Sequence, residues 1–166
     1  MFDRLLEMAQ DEGLPIFMLG ATNAVVQRAS VVVSEKYPQL RIAGVHHGYF
    51  WDDERAIVER IRESRARLLF VAITSPRKEN FINRWKMDLG VDFVMGVGGT
   101  FDVVAGKVAR APLWMQRSGL EWAFRVIQEP RRMWSRYLST NSRFLVMLAS
   151  AYVSRLIRRK GAVDTR

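Results

Sequence analysis

Short apolar runs alternate with amphipathic stretches over the first hundred residues. Pro15-Ile-Phe-Met-Leu19 is a five-residue apolar run ending at Gly20, and it predicts a buried strand. Thr22 or Asn23 caps the next stretch, which reads as a helix through Lys36, with Val25, Ala29 and Val32 on one face. Tyr37-Pro38 stops that helix, and Arg41 to Val45 predicts a second strand running into His46-His47-Gly48-Tyr49-Phe50. Asp52 and Asp53 are N-cap residues for a third stretch that carries Ile57, Val58 and Ile61 inward. Leu68 to Ile73 is wholly apolar, as a parallel strand covered on both faces should be. Ser75-Pro76 opens a helix to about Leu89 with Gly90 as its C-cap, and Asp92 to Val97 is a fourth strand.

Strands alternating with helices in this way predict an α/β fold: a Rossmann-like, open, mainly parallel sheet with flanking helices. Each predicted strand ends in a small or polar turn: Gly20-Ala21-Thr22, His47-Gly48-Tyr49, Thr74-Ser75-Pro76 and Gly98-Gly99-Thr100. Open parallel sheets bind ligands outside the carboxyl ends of their strands, and glycine lets a ligand approach the backbone closely. Each turn alone is a plain tight connection. Together they predict one cleft suited to a nucleotide-like ligand.

Beyond residue 110 the pattern changes. Pro112 to Met115 opens a helix, Gly119 interrupts it, and Glu121 to Gln128 resumes the helical spacing. Pro130 breaks or kinks it, and Arg131 to Lys160 reads as a further amphipathic helix bearing Trp134, Leu138, Leu145, Leu148, Tyr152 and Leu156. The expected organisation is therefore an α/β portion, 1–110, and a basic helical C-terminal appendage, 111–166.

Charge sharpens that division. Residues 1–106 hold 13 Lys/Arg against 14 Asp/Glu, whereas residues 107–166 hold 13 against 3, so the whole net charge of +9 comes from the last third. An anionic partner is expected there: a membrane surface, nucleic acid or a phosphorylated substrate. The apolar run Phe144 to Val153 is about half of the roughly 20 residues a spanning helix needs. With no cysteine in 166 residues, disulfides, thiolate catalysis and cysteine-ligated metals are excluded. Asp3, Arg4, Glu7, Asp11 and Glu12 interrupt any apolar core of a secretory leader.

Common catalytic signatures are missing. Gly96-Val-Gly98-Gly99-Thr-Phe lacks the last glycine of the dinucleotide fingerprint and the Lys-Ser/Thr of a P-loop. His46 and His47 are adjacent and poorly placed to share an ion, Asp52 and Asp53 are explained as caps, and Ser75 has no partner base, so no metal site and no nucleophilic triad is expected.

Ordered motifs nevertheless carry a resemblance. Met95-Gly-Val-Gly-Gly-Thr-Phe-Asp-Val-Val-Ala-Gly-Lys107, Arg110-Ala-Pro112, Trp114-Met115-Gln116, Gly119-Leu-Glu-Trp122 and Gln128-Glu-Pro-Arg-Arg132 resemble the WecG/TagA/CpsF glycosyltransferases. So do Phe17-Met-Leu-Gly20, the stretch from Tyr37-Pro38 to His47-Gly48-Tyr49-Phe50, and Ser75-Pro-Arg-Lys-Glu79 upstream. The resemblance implies transfer of a hexose (N-acetylmannosamine-, glucose- or uronate-type) from a UDP-sugar to a polyprenyl-diphosphate-linked saccharide. It implies an inverting enzyme without metal or other cofactor, peripheral on the cytoplasmic face of the cell membrane, acting in cell-surface polysaccharide synthesis. Partners would be the UDP-sugar, the lipid-linked acceptor and the anionic membrane, with no nucleic acid; a homo-oligomer is compatible. The nucleotide-sugar would meet Gly20, Ala21, His47, Gly48, Tyr49, Phe50, Ser75, Pro76, Lys78, Gly98, Gly99, Thr100, Phe101 and Asp102, with a structural cap as the alternative for Asp102. Arg125, Arg131, Arg132, Arg136 and Arg143 would face the acceptor diphosphate or the membrane. Trp114 and Trp122 are assigned to packing.

Two departures stand out. Lys78 occupies a position where the family's Ser-Pro-Lys-Gln-Glu-like motif often has glutamine. Family members also carry, before the equivalent of Met1, an Asp-Gly motif whose aspartate is thought to act as general base. No Asp-Gly dipeptide occurs here, so no catalytic residue is assigned, and the chain reads as N-terminally truncated, split or dependent on another polypeptide. The alternative function is a catalytically incomplete UDP-sugar- and membrane-binding module. A nucleic-acid-binding tail is the third reading, disfavoured because an apolar amphipathic stretch suits an interface better than a phosphate groove.

Overall fold

Four short strands, β1 (Ile16–Gly20), β2 (Ile42–His46), β3 (Leu68–Ala72) and β4 (Phe93–Gly96), pair in the order β2-β1-β3-β4, every pair parallel. The computed structural model describes residues 1–109 and 111–128, with the side chains of Gln116, Glu121, Trp122 and Arg125 left aside. The predicted helix at Arg131–Lys160 lies outside the described residues. The chain divides into two units, Met1–Ala109 and Arg110–Arg166. The first is the expected α/β layer arrangement, and each expected strand is present within a residue or two of its predicted bounds.

Helices cover both faces of the sheet. One face packs α1 (Phe2–Asp11), α2 (Asn23–Lys36) and the short α5 (Thr100–Val104) against Ile16, Met18, Leu68 and Phe70. The other packs α3 (Glu54–Glu63) and α4 (Arg77–Trp85) against Phe17, Leu19, Leu69 and Val71. Alternate residues of β1 and β3 thus feed opposite cores, as strand geometry requires. β1 is buried at all five positions. At the β1–β2 pairing the register shifts after Ile16, so that Phe17 faces Gly44, whose bare Cα leaves room for the Phe17 ring.

Local chemistry explains the helix starts. Thr22 accepts a hydrogen bond from the Val25 N–H (3.4 Å), and Asp53, rather than Asp52, accepts one from the Ala56 N–H (3.0 Å). Ile57, Val58 and Ile61 point inward as expected.

Four expectations are corrected. The buried face of α2 is Val25, Val26, Ala29 and Val33; Val32 is only half-buried, because a spacing of four keeps Val33 under Ala29. α4 ends at Trp85, not near Leu89. The Trp85 carbonyl accepts from the Asp88 and Leu89 N–H groups (2.8 and 3.0 Å), folding Leu89 back into the core, and Gly90 at φ 66° turns the chain into β4. α1 was not expected at all. Its Phe2, Leu6 and Ala9 are buried, and Phe2 meets Phe70 edge-on at 5.0 Å between ring centroids. Lys36 of α2 reaches the Asp3 carboxylate of α1 at 2.7 Å, and this hydrogen bond raises its pKa well above the usual lysine value.

In the second unit, α6 (Leu113–Arg117) and α7 (Glu121–Gln128) flank Gly119, which takes φ 72°. This is the interruption read from the sequence. The fourth correction falls here: Trp114 is 65% exposed and Leu113 70%, so Trp114 is not a core side chain among the described residues.

Candidate functional site

Because all four strands are parallel, their carboxyl ends lie along one edge of the sheet, and the turns that follow line up in the order His47–Phe50, Gly20–Thr22, Thr74–Pro76, Gly98–Thr100. The chain leaves β1 toward β2 on one side and reaches β3 on the other. This makes the β1–β3 gap the topological switch point, where open α/β sheets receive ligands.

Backbone hydrogen bonds tie two of these turns to each other and to the end of β3. The Ala21 N–H donates to the Ala72 carbonyl at the end of β3, and the Gly48 N–H donates to the Ala21 carbonyl, each at 2.9 Å. Gly20, at φ 131°, passes so close to Ala72 that a Cβ would fall on the Ala72 backbone. A Cβ at Gly48 would stand 3.1 Å from the Gly20 Cα. Ala21 itself holds φ 56°, a left-handed conformation that alanine adopts only at a cost of about 1–2 kcal/mol. A strained residue locked by hydrogen bonds on both sides marks this turn as a built feature.

The turn after β2 presents its aromatic residues differently. Tyr49 is 68% exposed, whereas Phe50 is buried against Phe81 and Trp51. His46 and His47 each have one ring nitrogen engaged by the backbone: His46 Nδ1 lies 2.9 Å from the His47 carbonyl, and His47 Nδ1 accepts from the Tyr49 N–H at 3.1 Å. Burial beside Phe50 pushes the His46 pKa below the ordinary histidine value, so its imidazole is neutral at pH 7. No group of three or more His, Asp or Glu side chains gathers into a metal-binding cluster among the described residues.

After β3, the Ser75–Pro76 peptide is cis, Pro76 is the N-cap of α4, and Ser75 and Pro76 are exposed. The next turn of chain places Lys78 over the end of β4. Its Cδ, Cε and Nζ lie 2.8, 2.8 and 2.9 Å from where a Cβ of Gly96 would stand. The ammonium also pairs with the Glu79 carboxylate at 3.1 Å. Glu79 is held below the usual carboxylate range, first by its own backbone N–H and then by Lys78.

Beyond β4, Gly98 takes φ 54° with open space where its side chain would be, and Gly99 is the N-cap of α5. The N–H and hydroxyl of Thr100 both turn back to the Val97 carbonyl (3.1 and 2.5 Å). Phe101 is fully buried with Phe2 and Phe70, so it supports the turn from below. Asp102 makes no side-chain cap bond to α5. Its carboxylate lies 3.5 Å from Lys107, and its carbonyl accepts from the Lys107 and Val108 N–H groups.

The fold therefore brings Gly20, Ala21, His47, Gly48, Tyr49, Ser75, Pro76, Lys78, Gly98, Gly99 and Thr100 to one sheet edge, and draws Phe50 and Phe101 into the cores beneath it. Arg125 belongs to α7, and its side chain is not described; Arg131, Arg132, Arg136 and Arg143 lie outside the described residues. The sequence reading overlooked Trp51 and Arg77. The Arg77 guanidinium lies 5.1 Å from the Trp51 ring centre, which links the start of α4 to the β2 turn. It also left Gly96 out of the site, because nothing in the spacing of positions 78 and 96 shows that one lies on the other. What the edge offers chemically is close backbone approach, an exposed aromatic ring and a cation, the ingredients of a phosphate-bearing ligand site.

Comparison with known proteins agrees on one family. The sequence model of the glycosyl transferase WecG/TagA/CpsF family matches residues 1–159. The N-acetylglucosaminyldiphosphoundecaprenol N-acetyl-beta-D-mannosaminyltransferase of Bacillus subtilis (strain 168) is 36% identical over 147 residues, which is 89% of this chain and 57% of that protein. The chain thus spans little more than half the length of this relative.

Proposed function

Since this chain belongs to the WecG/TagA/CpsF family of glycosyltransferases, we propose that it transfers a hexose from a UDP-sugar to a polyprenyl-diphosphate-linked saccharide in cell-surface polysaccharide synthesis. The observation that carries this reading is the alignment of four strand-end turns along the edge that holds the β1–β3 switch point, with Gly98 leaving the backbone open to a diphosphate. The B. subtilis relative, whose name describes mannosaminyl transfer to an N-acetylglucosaminyl-diphosphoundecaprenol, supports the same acceptor class and an N-acetylmannosamine-type donor sugar.

The reaction is a single displacement. An acceptor hydroxyl attacks the anomeric carbon, the bond to the diphosphate breaks, UDP departs with the electron pair, and the sugar carbon inverts. The hydroxyl proton passes to a base for which no residue of this chain is assigned. The site's task is to orient the donor and to meet the charge developing on the leaving diphosphate. No metal or organic cofactor is invoked.

The basic last third serves the lipid-bearing substrate. Anionic headgroups attract roughly 1 kcal/mol per nearby Lys or Arg, and the exposed Leu113 and Trp114 are suited to the interface. No helix among the described residues is long and apolar enough to cross a membrane. Peripheral attachment to the cytoplasmic face is the corresponding location.

A second reading takes this chain as a UDP-sugar-binding module, since the matched region is 57% of the length of the B. subtilis relative. Two assays separate them. UDP protection against thermal unfolding is expected on both readings, and its absence removes both. Transfer of a radiolabelled sugar from UDP-N-acetylmannosamine or UDP-glucose to a polyprenyl-diphosphate acceptor by this chain alone supports the enzyme; binding without transfer supports the module.

A further inference from the structure

Lys78 lies almost flat on the end of β4. Three successive side-chain atoms, Cδ, Cε and Nζ, cover the Cα of Gly96 at distances that leave no space for even a methyl group. The side chain is only 22% exposed, yet Gly96 itself remains open to solvent. The ammonium therefore sits at the strand-end edge and not out on the helix surface. Glu79 occupies one of its three N–H donors at 3.1 Å. No other hydrogen bond of this ammonium is formed among the described residues.

Resting on the donor-site reading above, we propose that Lys78 binds an anionic oxygen of the nucleotide-sugar, and that Gly96 is the positioning residue that admits its ammonium to the site. A β4 residue with any side chain at position 96 would push the flexible end of Lys78 away. The pairing makes position 96 a determinant of charge in the site although it offers no side chain of its own. The anionic oxygen belongs to the diphosphate, common to every donor, or to the carboxylate of an acidic sugar. Both have the same chemistry, and a ligand series tells them apart.

The test is calorimetric titration of the purified chain with uridine, UDP, UDP-glucose and UDP-glucuronate at low and high salt. The wild type is compared with Lys78→Gln, Gly96→Ala and the double variant, each checked for an unchanged thermal transition without ligand. Loss of one charge-assisted hydrogen bond predicts about tenfold weaker UDP binding by Lys78→Gln, with uridine unaffected and the salt dependence reduced. Gly96→Ala should weaken UDP binding similarly, and the double variant should bind no worse than Lys78→Gln alone. A loss confined to UDP-glucuronate assigns the cation to the sugar carboxylate. Full UDP and UDP-glucuronate affinity in Lys78→Gln overturns the proposal, as does an equal loss for uridine; additive losses in the double variant overturn the role of Gly96. A wild type with no affinity for UDP removes the donor reading and this inference together.

Discussion

The Gly20 Cα stands against the Ala72 backbone so closely that the end of β1 has no room for a side chain, while the neighbouring Ala21 N–H donates to the Ala72 carbonyl at 2.9 Å. Gly20→Ala must push the two central strands apart or break that hydrogen bond, and it also forces a left-sided φ of 131° on a residue with a Cβ. A destabilisation of about 2–3 kcal/mol is expected. Urea unfolding checks it. A variant as stable as the wild type contradicts the close approach.

Phe2 makes α1 part of the core, although it is the second residue of the chain. It is 8% exposed and packs edge-on against Phe70, with Phe101 at 6.2 Å. Phe2→Ala should cost about 3–5 kcal/mol, as for other large aromatic truncations in cores. Because Phe101 underlies the Gly98–Thr100 turn, UDP protection should weaken as well. Chemical denaturation with and without UDP measures both effects.

α1 shows where the sequence was harder to read than the fold. Phe2, Leu6 and Ala9 have helical spacing, but the interleaved charges Asp3, Arg4 and Glu7, which form the outer face of the helix, hide it in so short a stretch. The strands were legible because each is a short apolar run bounded by glycine, proline or a cap residue, a local signal. Turn positions were legible for the same reason. Their use was not: Phe101 and Phe50 sit in the same motifs as exposed residues, yet burial is decided by which face of the sheet the next helix covers. The contact of Lys78 with Gly96 joins α4 to β4 across eighteen positions, and Arg77 with Trp51 joins α4 to the β2 turn, relations that only the β2-β1-β3-β4 order creates.

Glu54 offers a discriminating substitution. Its carboxylate accepts from Trp85 Nε1 at 2.7 Å and from Arg84 Nη1 at 2.9 Å, linking the start of α3 to the end of α4. The Arg84 side chain is largely exposed, so that ion pair contributes little. Glu54→Gln keeps an acceptor for the indole and should cost under about 1 kcal/mol, whereas Glu54→Leu orphans the half-buried indole N–H and should cost about 1–2 kcal/mol. The tryptophan emission maximum should move in the second variant only.

Acid sensitivity should trace in part to His46. Its folded-state pKa lies below the ordinary value of 6.5 because burial disfavours the imidazolium. The unfolded chain therefore binds a proton more readily, and the stability contributed by neutral His46 is complete above about pH 6.5 and lost as pH falls through the lowered pKa. The gap in melting temperature between wild type and His46→Gln should narrow on acidification from pH 8 to pH 5. A gap independent of pH contradicts this assignment.

The relay from Gly48 to Ala21 to Ala72 has a consequence for how such a site changes over time. Its hydrogen bonds run between main-chain atoms, so the contour of the β2-β1-β3 edge does not depend on which side chains stand around it. Substitutions at Tyr49, Ser75 or Lys78 can then alter what the edge recognises without rebuilding the edge itself. A scaffold of this kind separates holding a ligand from choosing one, and lets the choice drift one residue at a time.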